Sequence, residues 1–381
     1  MGLGAAYDLA HNSPGVESVT VADVDEGRAR AVAMTIGSER VRAVRADVED
    51  YAGTVALMRG HDAVISCVTY FHNLRLARAA IEARANFCDL GGNNAVVASE
   101  LALDEEARAA GVNLIPDCGL APGMVSVLAA HGAARFDELD SIRIRVGGLP
   151  QHPRPPLDYQ IVFSIEGLIN EYVERARVIR DGQIIEVESM TELESLDFPE
   201  PYGRMEAFQT SGGTSTLPET FAGRVRQLDY KTIRYPGHCE KFRLLIELGL
   251  ASSEETDLGG LRIAPRRLLG EMLLRHLPAD GPDLVFVRLE FRGTATGEAK
   301  GETAGEEART LRYDIIDSFD QETGLSAMQR TTAFPASIVA QMMASGVTAS
   351  KGAIPQERAL PAEAFVAELD RRRIKIAENW L

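Results

Sequence analysis

The chain has 381 residues, 45% of them hydrophobic and 25% charged, which is the balance of an ordinary globular protein with room for two domains. A formal net charge of −16 argues against a nucleic-acid backbone or an anionic membrane as the main partner. No apolar run approaches membrane-spanning length and no signal peptide is visible, so a cytoplasmic protein is expected. Cys67, Cys88, Cys118 and Cys239 lie far apart, without zinc or redox-pair spacing. Free thiols are the simplest account, and no metal site is expected.

In chain order, residues 2–10 have helical character, and 19–22 form a strand that ends in Asp23. A helix is expected at 26–36, a strand at 41–44, a helix at 51–58 and a buried strand at 62–68. A helix at 74–85, a short strand at 86–89 before Gly91 and Gly92, a helix at 96–110 and a strand at 112–115 continue the alternation. This is the pattern of a Rossmann-type, doubly wound parallel α/β sheet. Asp23 stands where a carboxylate accepts hydrogen bonds from an adenosine ribose and so selects NAD; a strand-end Asp in a turn would look the same. Ser66, Cys67 and Val68 end one strand, and Asp89, Gly91 and Gly92 end the next, where dinucleotides bind. Asp47 could meet adenine, and Tyr70 and His72 could line the same end, although Tyr70 packed on the sheet edge is equally consistent. The dinucleotide fingerprint calls for a strand and a Gly-rich turn before the first helix. Here Met1 and Gly2 stand at the last two positions of that fingerprint, with Gly2 as its third glycine. The expectation is a natural start about ten to twenty residues upstream, the length of one strand and a turn.

Two prolines and two glycines within 115–124 mark a crossover to a second domain. A helix is expected at 125–134. From Ile142 on, apolar residues alternate with Arg143 and Arg145, the pattern of a half-buried antiparallel strand. Further strands are expected at 178–179, 184–187, 225–234, 284–291 and 310–316, and a Gly/Thr/Ala/Glu-rich hairpin loop at 293–305. The second domain is therefore α+β on an open, mainly antiparallel sheet, spanning 124–328. Residues 1–123, completed by C-terminal helices within 329–381, make up the first. Lys231, Arg234, Tyr235 and His238 crowd one tract of the second domain. A strand through Tyr235, a Pro236-Gly237 turn and a following helix place His238 at a junction where helix N–H groups can converge on an anion. An ordinary strand and turn with solvated cations is the alternative.

Four stretches together carry a family resemblance. They are residues 115–124, Ser164-Ile165-Glu166-Gly167-Leu168, Thr210-Ser211-Gly212-Gly213-Thr214-Ser215-Thr216, and 231–238. The chain resembles the saccharopine dehydrogenase-like superfamily, and within it the L-lysine 6-dehydrogenases. The resemblance implies NAD-dependent oxidative deamination of the lysine ε-amine to a semialdehyde that cyclises, with release of ammonia. A saccharopine-type enzyme acting on a secondary amine and a non-catalytic ligand-binding homologue are the alternatives. On this reading Arg234 and the Tyr235 hydroxyl hold the substrate carboxylate or a water, and His238 is the leading general base. Lys231 is its partner if burial lowers its pKa. Glu166, at a helix start, and the loop of Ser211, Gly213 and Thr214 are substrate-binding candidates. Glu166 as a plain first-turn acid, and the loop as a plain turn, remain open. A homo-oligomer, dimer or tetramer, with a small amino-acid substrate is expected.

Overall fold

The computed structural model describes residues 1–294 and 308–381, so most of the loop expected at 293–305 lies outside the described residues. The chain divides into two compact units, Met1–Ala134 with Gln329–Lys375, and Arg135–Met328 with Ile376–Leu381. The expected first boundary at 123 falls one helix early, because helix Met124–Ala133 belongs to the first unit. The last residues go the other way and add strand Ala377–Trp380 to the second unit's sheet.

The first unit is built on parallel strands β1 (Val19–Asp23), β2 (Val41–Arg45), β3 (Ala63–Ser66), β4 (Asn86–Asp89) and β5 (Asn113–Ile115). Among the described residues they form two ladders. One pairs β1 with β2, and the other runs β3-β4-β5 and ends on the short strand Gly352–Ala353. Three of the strand ends, those of β1, β2 and β4, feed a helix through a side-chain oxygen that satisfies its free N–H groups. Asp25 caps helix Glu26–Ile36, Asp50 caps Tyr51–Met58, and Asn93 caps Asn94–Leu101. The single helix expected at 96–110 is two, Asn94–Leu101 and Asp104–Ala110. Buried Leu103 sits at the break, and the acids Asp104, Glu105 and Glu106 suit a fresh N-terminus. Helix Ala327–Ala344 returns against helix Gly2–His11, where Ser337 Oγ donates to the Ala5 carbonyl at 3.2 Å. Arg372 then pairs with the wholly buried Asp8 at 2.8 Å.

The second unit carries β6 (Glu138–Pro150), β7 (Ala176–Arg180), β8 (Gln183–Val187), β9 (Glu194–Phe198), β10 (Gly203–Gln209) and β11 (Gln227–Arg234). A two-residue ribbon, β12 (Thr256–Asp257) with β13 (Arg262–Ile263), precedes β14 (Asp283–Thr294) and β15 (Arg309–Ser318). The nine-stranded sheet runs Ala377–Trp380, β15, β14, β6, β11, β10, β9, with the β7-β8 hairpin attached through β11. All pairs are antiparallel except β6 with β11, so the sheet is mixed. Side chains alternate along a strand. Leu228, Tyr230, Thr232 and Arg234 therefore share one face of β11, and Asp229, Lys231 and Ile233 share the other. Helices Ile165–Val173, His238–Glu247 and Pro265–His276 pack on the first face around Tyr159, Tyr172, Phe208 and Phe242. Among the described residues no helix is long and apolar enough to cross a membrane.

Candidate functional site

Arg234 ends β11 with its side chain almost wholly buried. Its guanidinium lies 4.8 Å from the Tyr159 ring centre and 5.8 Å from that of Tyr172, so two aromatic faces cover it. Nε donates to Tyr172 Oη at 2.8 Å and Nη1 to the Ile233 carbonyl at 2.9 Å. His238 opens the following helix, with Nδ1 3.0 Å from the Leu157 carbonyl and Nε2 3.1 Å from Tyr172 Oη. A carbonyl only accepts, so Nδ1 carries the proton and Nε2 is the acceptor. The relay is therefore directed: Arg234 donates to Tyr172, Tyr172 to His238, and His238 to Leu157. Burial, and next the Arg234 charge, depress His238 to about 3, so it is neutral with both nitrogens used. This geometry corrects the expected role of His238: it is a buried link in the relay, with no lone pair left for a substrate proton.

Glu171, which the sequence did not single out, lies on helix Ile165–Val173 within reach of the Arg234 charge. Burial raises its carboxyl to about 7 even though the Arg234 charge pulls it down. It is a partly exposed acid that titrates near neutrality beside a permanent cation, the combination acid–base chemistry uses. No spacing rule in the sequence brings residue 171 to residue 234.

The other expected side chains sit elsewhere. Lys231 projects from the opposite face of β11, where Nζ donates to the Glu192 carbonyl at 2.6 Å and pairs with Glu194 at 3.2 Å. Arg145 bridges Glu194 and Asp229 there, and Arg180 joins Asp229 to Glu192. Lys231 is thus one cation in a buried ion network and does not partner His238. Tyr235 donates its hydroxyl to the Pro150 carbonyl at 2.8 Å. Glu166 is an exposed first-turn acid paired with Arg266 at 2.8 Å. In the 210–216 loop Ser211 Oγ donates to the Asn170 carbonyl and Thr214 Oγ1 to the Arg177 carbonyl. Gly213 is required by close approach, since any Cβ there would collide with the ring of Tyr230. The N–H groups at the strand-to-helix junction are already bound to a carboxylate of the chain itself. Glu206 accepts from Gly237 N at 2.7 Å and from Cys239 N at 2.6 Å. An open groove of about 410 Å³ lies at the other end of β11, by Val225 and Arg226, and holds none of these residues.

In the first unit the expected cofactor residues do gather at the carboxyl ends of parallel strands. Asp23 closes β1 and accepts from Asp25 N at 2.9 Å. Asp47 follows β2, is exposed, and accepts from Glu49 N. Ser66 ends β3 and donates to Asn73 Oδ1 at 2.8 Å. Cys67 and exposed Val68 follow, and burial pushes the Cys67 thiol up to about 11. Gly2, at the start of the first helix, is in ordinary packing distance of Cys67. The ring of Tyr70 lies against Gly92, and His72 Nδ1 is 3.2 Å from Glu49 Oε1. Asp89 ends β4, wholly buried, and its Oδ1 accepts from Gly91 N at 2.6 Å and Asp117 N at 3.3 Å. Gly91 and Gly92 have φ of 74° and 124°, in the left-handed region that favours glycine. Asp117 crowds Gly91 so closely that a side chain there has no room.

Two family models cover this architecture. Residues 1–115 match a saccharopine dehydrogenase NADP binding domain, and residues 119–374 match a saccharopine dehydrogenase C-terminal domain. A saccharopine dehydrogenase [NADP(+), L-glutamate-forming] of Pyricularia oryzae is 24% identical over 58% of this chain and 50% of its own length. The mitochondrial alpha-aminoadipic semialdehyde synthase of Mus musculus is 24% identical over 70% of this chain and 30% of its own length. The chain thus spans half or less of these curated relatives. An apo saccharopine dehydrogenase (L-Glu forming) from Saccharomyces cerevisiae superposes with a TM-score of 0.80 at 19% identity, covering 100% of this chain and 98% of the other. At that identity the likeness is one of fold, and it agrees with the expected parallel α/β sheet followed by an α+β domain on a mainly antiparallel sheet.

Proposed function

The chain belongs to the saccharopine dehydrogenase family, and on that premise we propose that it is a nicotinamide-dependent oxidoreductase acting on a C–N bond of an amino acid. Our specific reading is oxidative deamination of the ε-amine of L-lysine. The observation that carries it is a buried cation, Arg234, whose charge reaches Glu171, a carboxyl that burial raises to about 7. An amino acid brings the complementary set, a carboxylate for the cation and an ammonium proton for the base. The residues present also fit a nicotinamide dinucleotide. Asp23 ends β1 near the surface, and Gly91 and Gly92 put no side chain of their own at the end of β4.

A bound dinucleotide supplies the hydride acceptor. The substrate ammonium first gives a proton to Glu171, which the Arg234 charge keeps partly ionised at neutral pH. The ε-carbon then loses a hydrogen with its electron pair, and C–N becomes C=N. Water adds to that carbon, ammonia leaves, and the semialdehyde closes on its own α-amine with loss of water. The second reading, cleavage or formation of a secondary amine, is favoured by the names of the curated relatives.

The test is reduced-dinucleotide formation across lysine, ornithine, saccharopine and polyamines, with NAD and NADP compared. Lysine with NAD is expected to be fastest, since a carboxylate at Asp23 opposes a 2′-phosphate. Saccharopine as the better substrate would replace the lysine reading with the secondary-amine one. Glu171→Gln should lower kcat by about 10²–10⁴ and remove the acid limb of the pH–rate profile. A retained limb would move the base elsewhere.

A further inference from the structure

Asp89 and Glu100 pose an unsolved hydrogen-bonding problem in the first unit. Both are at most 1% exposed. Asp89 Oδ1 is satisfied by the Gly91 and Asp117 amides, but Oδ2 has no donor. Glu100, on helix Asn94–Leu101, has no donor for either oxygen. The two carboxyls face each other within hydrogen-bonding reach. Two ionised acids cannot pair, and burying both without a partner would cost far more than the fold gains there. One proton placed between them gives Asp89 Oδ2 its donor and Glu100 its acceptor.

We infer that Glu100 keeps a proton at neutral pH, donates it to Asp89, and is thereby the positioning residue for the two loops that leave β4 and β5. Asp89 is the knot of those loops. Its Oδ1 holds Gly91 N and Asp117 N, and its carbonyl accepts from Cys118 N at 2.7 Å. The proton resides on Glu100 because of the surroundings. Burial first, then the charges of Asp89 and Asp117, raise Glu100 to about 10. Asp89, with two backbone donors, rises only to about 6. The thiols of Cys67 and Cys118 are the other titratable groups that feel Asp89, Asp117 acts on Glu100 and Cys118, and no cation is among the charges acting on Glu100. Among the described residues no group of three His, Cys, Asp or Glu could hold a metal, so a proton is the neutralising charge.

The sign of the linkage makes this testable without substrate or cofactor. Glu100 is raised from 4.5 in the unfolded chain, so its contribution is complete below that value and is lost as pH climbs toward about 10. Glu100→Gln keeps the donor and the shape but does not ionise. Its melting temperature should therefore exceed that of the unaltered protein by a margin that widens from pH 5 to pH 9. Infrared spectra at pH 9, where Glu171 is ionised and Glu100 is not, should show a protonated-carboxyl stretch that disappears in Glu100→Gln. In Asp89→Asn, where the new amide donates to Glu100 and allows it to ionise, the stretch should disappear as well. Amide hydrogen exchange at Gly91 and Asp117 should be slow in both the unaltered protein and Glu100→Gln. It should be about tenfold faster in Glu100→Ala, which strands Asp89 Oδ2. A constant melting margin, or a stretch that survives Glu100→Gln, would overturn the shared proton. Unchanged exchange in Glu100→Ala would overturn the positioning role. A protein that fails to oxidise any amine would count against the proposed function alone.

Discussion

The two faces of β11 treat buried cations in opposite ways. On one, Arg234 is surrounded by tyrosine rings and passes a hydrogen bond through Tyr172 and His238 to a backbone carbonyl. Among the described residues Glu171 is the acid that answers its charge, and burial raises it to about 7. On the other face Lys231, Arg145 and Arg180 meet Asp229, Glu192 and Glu194 in a closed set of ion pairs. There burial opposes the charge of Asp229, but Arg145, Arg180 and Lys231 prevail and hold its carboxyl below the usual range. A closed set of pairs has charge partners for its members and supplies stability. An unequal pair leaves an acid whose proton can move, which chemistry needs.

The largest effect should come from opening the closed set. Asp229→Ala leaves Arg145, whose side chain is only 4% exposed, with Glu194 alone and takes a partner from Arg180, and should cost about 3 kcal/mol in urea unfolding. Because the Asp229 pKa is depressed on folding, its stabilisation is present at neutral pH and fades as pH falls through its native value. Asp229→Asn should flatten that acid dependence, and a dependence that persists would assign it to another carboxylate.

A smaller effect tests the relay. His238→Phe leaves the Tyr172 hydroxyl proton without its acceptor and the Leu157 carbonyl without its donor, at about 1–3 kcal/mol of stability. The shape of the pH–rate profile should be unchanged, because His238 is already neutral across the working range. Loss of a limb would restore His238 as the base.

The smallest effect is expected at the surface. Glu166 has a 64% exposed side chain, and Arg266 keeps its bonds to Asn170 Oδ1 and the Glu166 carbonyl. Glu166→Ala should change stability by less than about 0.5 kcal/mol and leave kcat/KM alone. A tenfold rise in KM would bring Glu166 back as a substrate contact.

Residue types and periods are enough to recover the strand-and-helix alternation of the first unit, because its parallel strands are short and three of its helices open on a capping Asp or Asn. They also place His238 at a strand-to-helix junction. What they cannot supply is which face a side chain takes and what crosses to meet it. Lys231 and Arg234 read as one basic cluster, yet three residues along a strand is half a pleat out of phase. Glu206 and Glu171 lie in unrelated stretches of sequence and reach the 234–239 tract only through sheet pairing and helix packing. Strands β9 and β10 are hard to read from residue types because each has just one alternating apolar pair, Leu196 with Phe198 and Met205 with Ala207, too short a run to distinguish a strand from a loop.

The pairing of β6 also governs how the second unit can be made. Pro150 meets Asp283 and Leu149 meets Leu284, partners from distant parts of the chain, while β6 lies alongside β11 in parallel. A ribosome releases β6 long before β14 exists, and its buried positions Ile142, Ile144, Val146 and Leu149 must wait without their ladder. Strand Ala377–Trp380 arrives last of all and covers β15. High contact order of this kind slows folding and prolongs the exposure of apolar strand edges to other chains. Refolding yield from denaturant should therefore fall steeply with protein concentration, and cellular production should depend on chaperones that hold unfinished sheets apart.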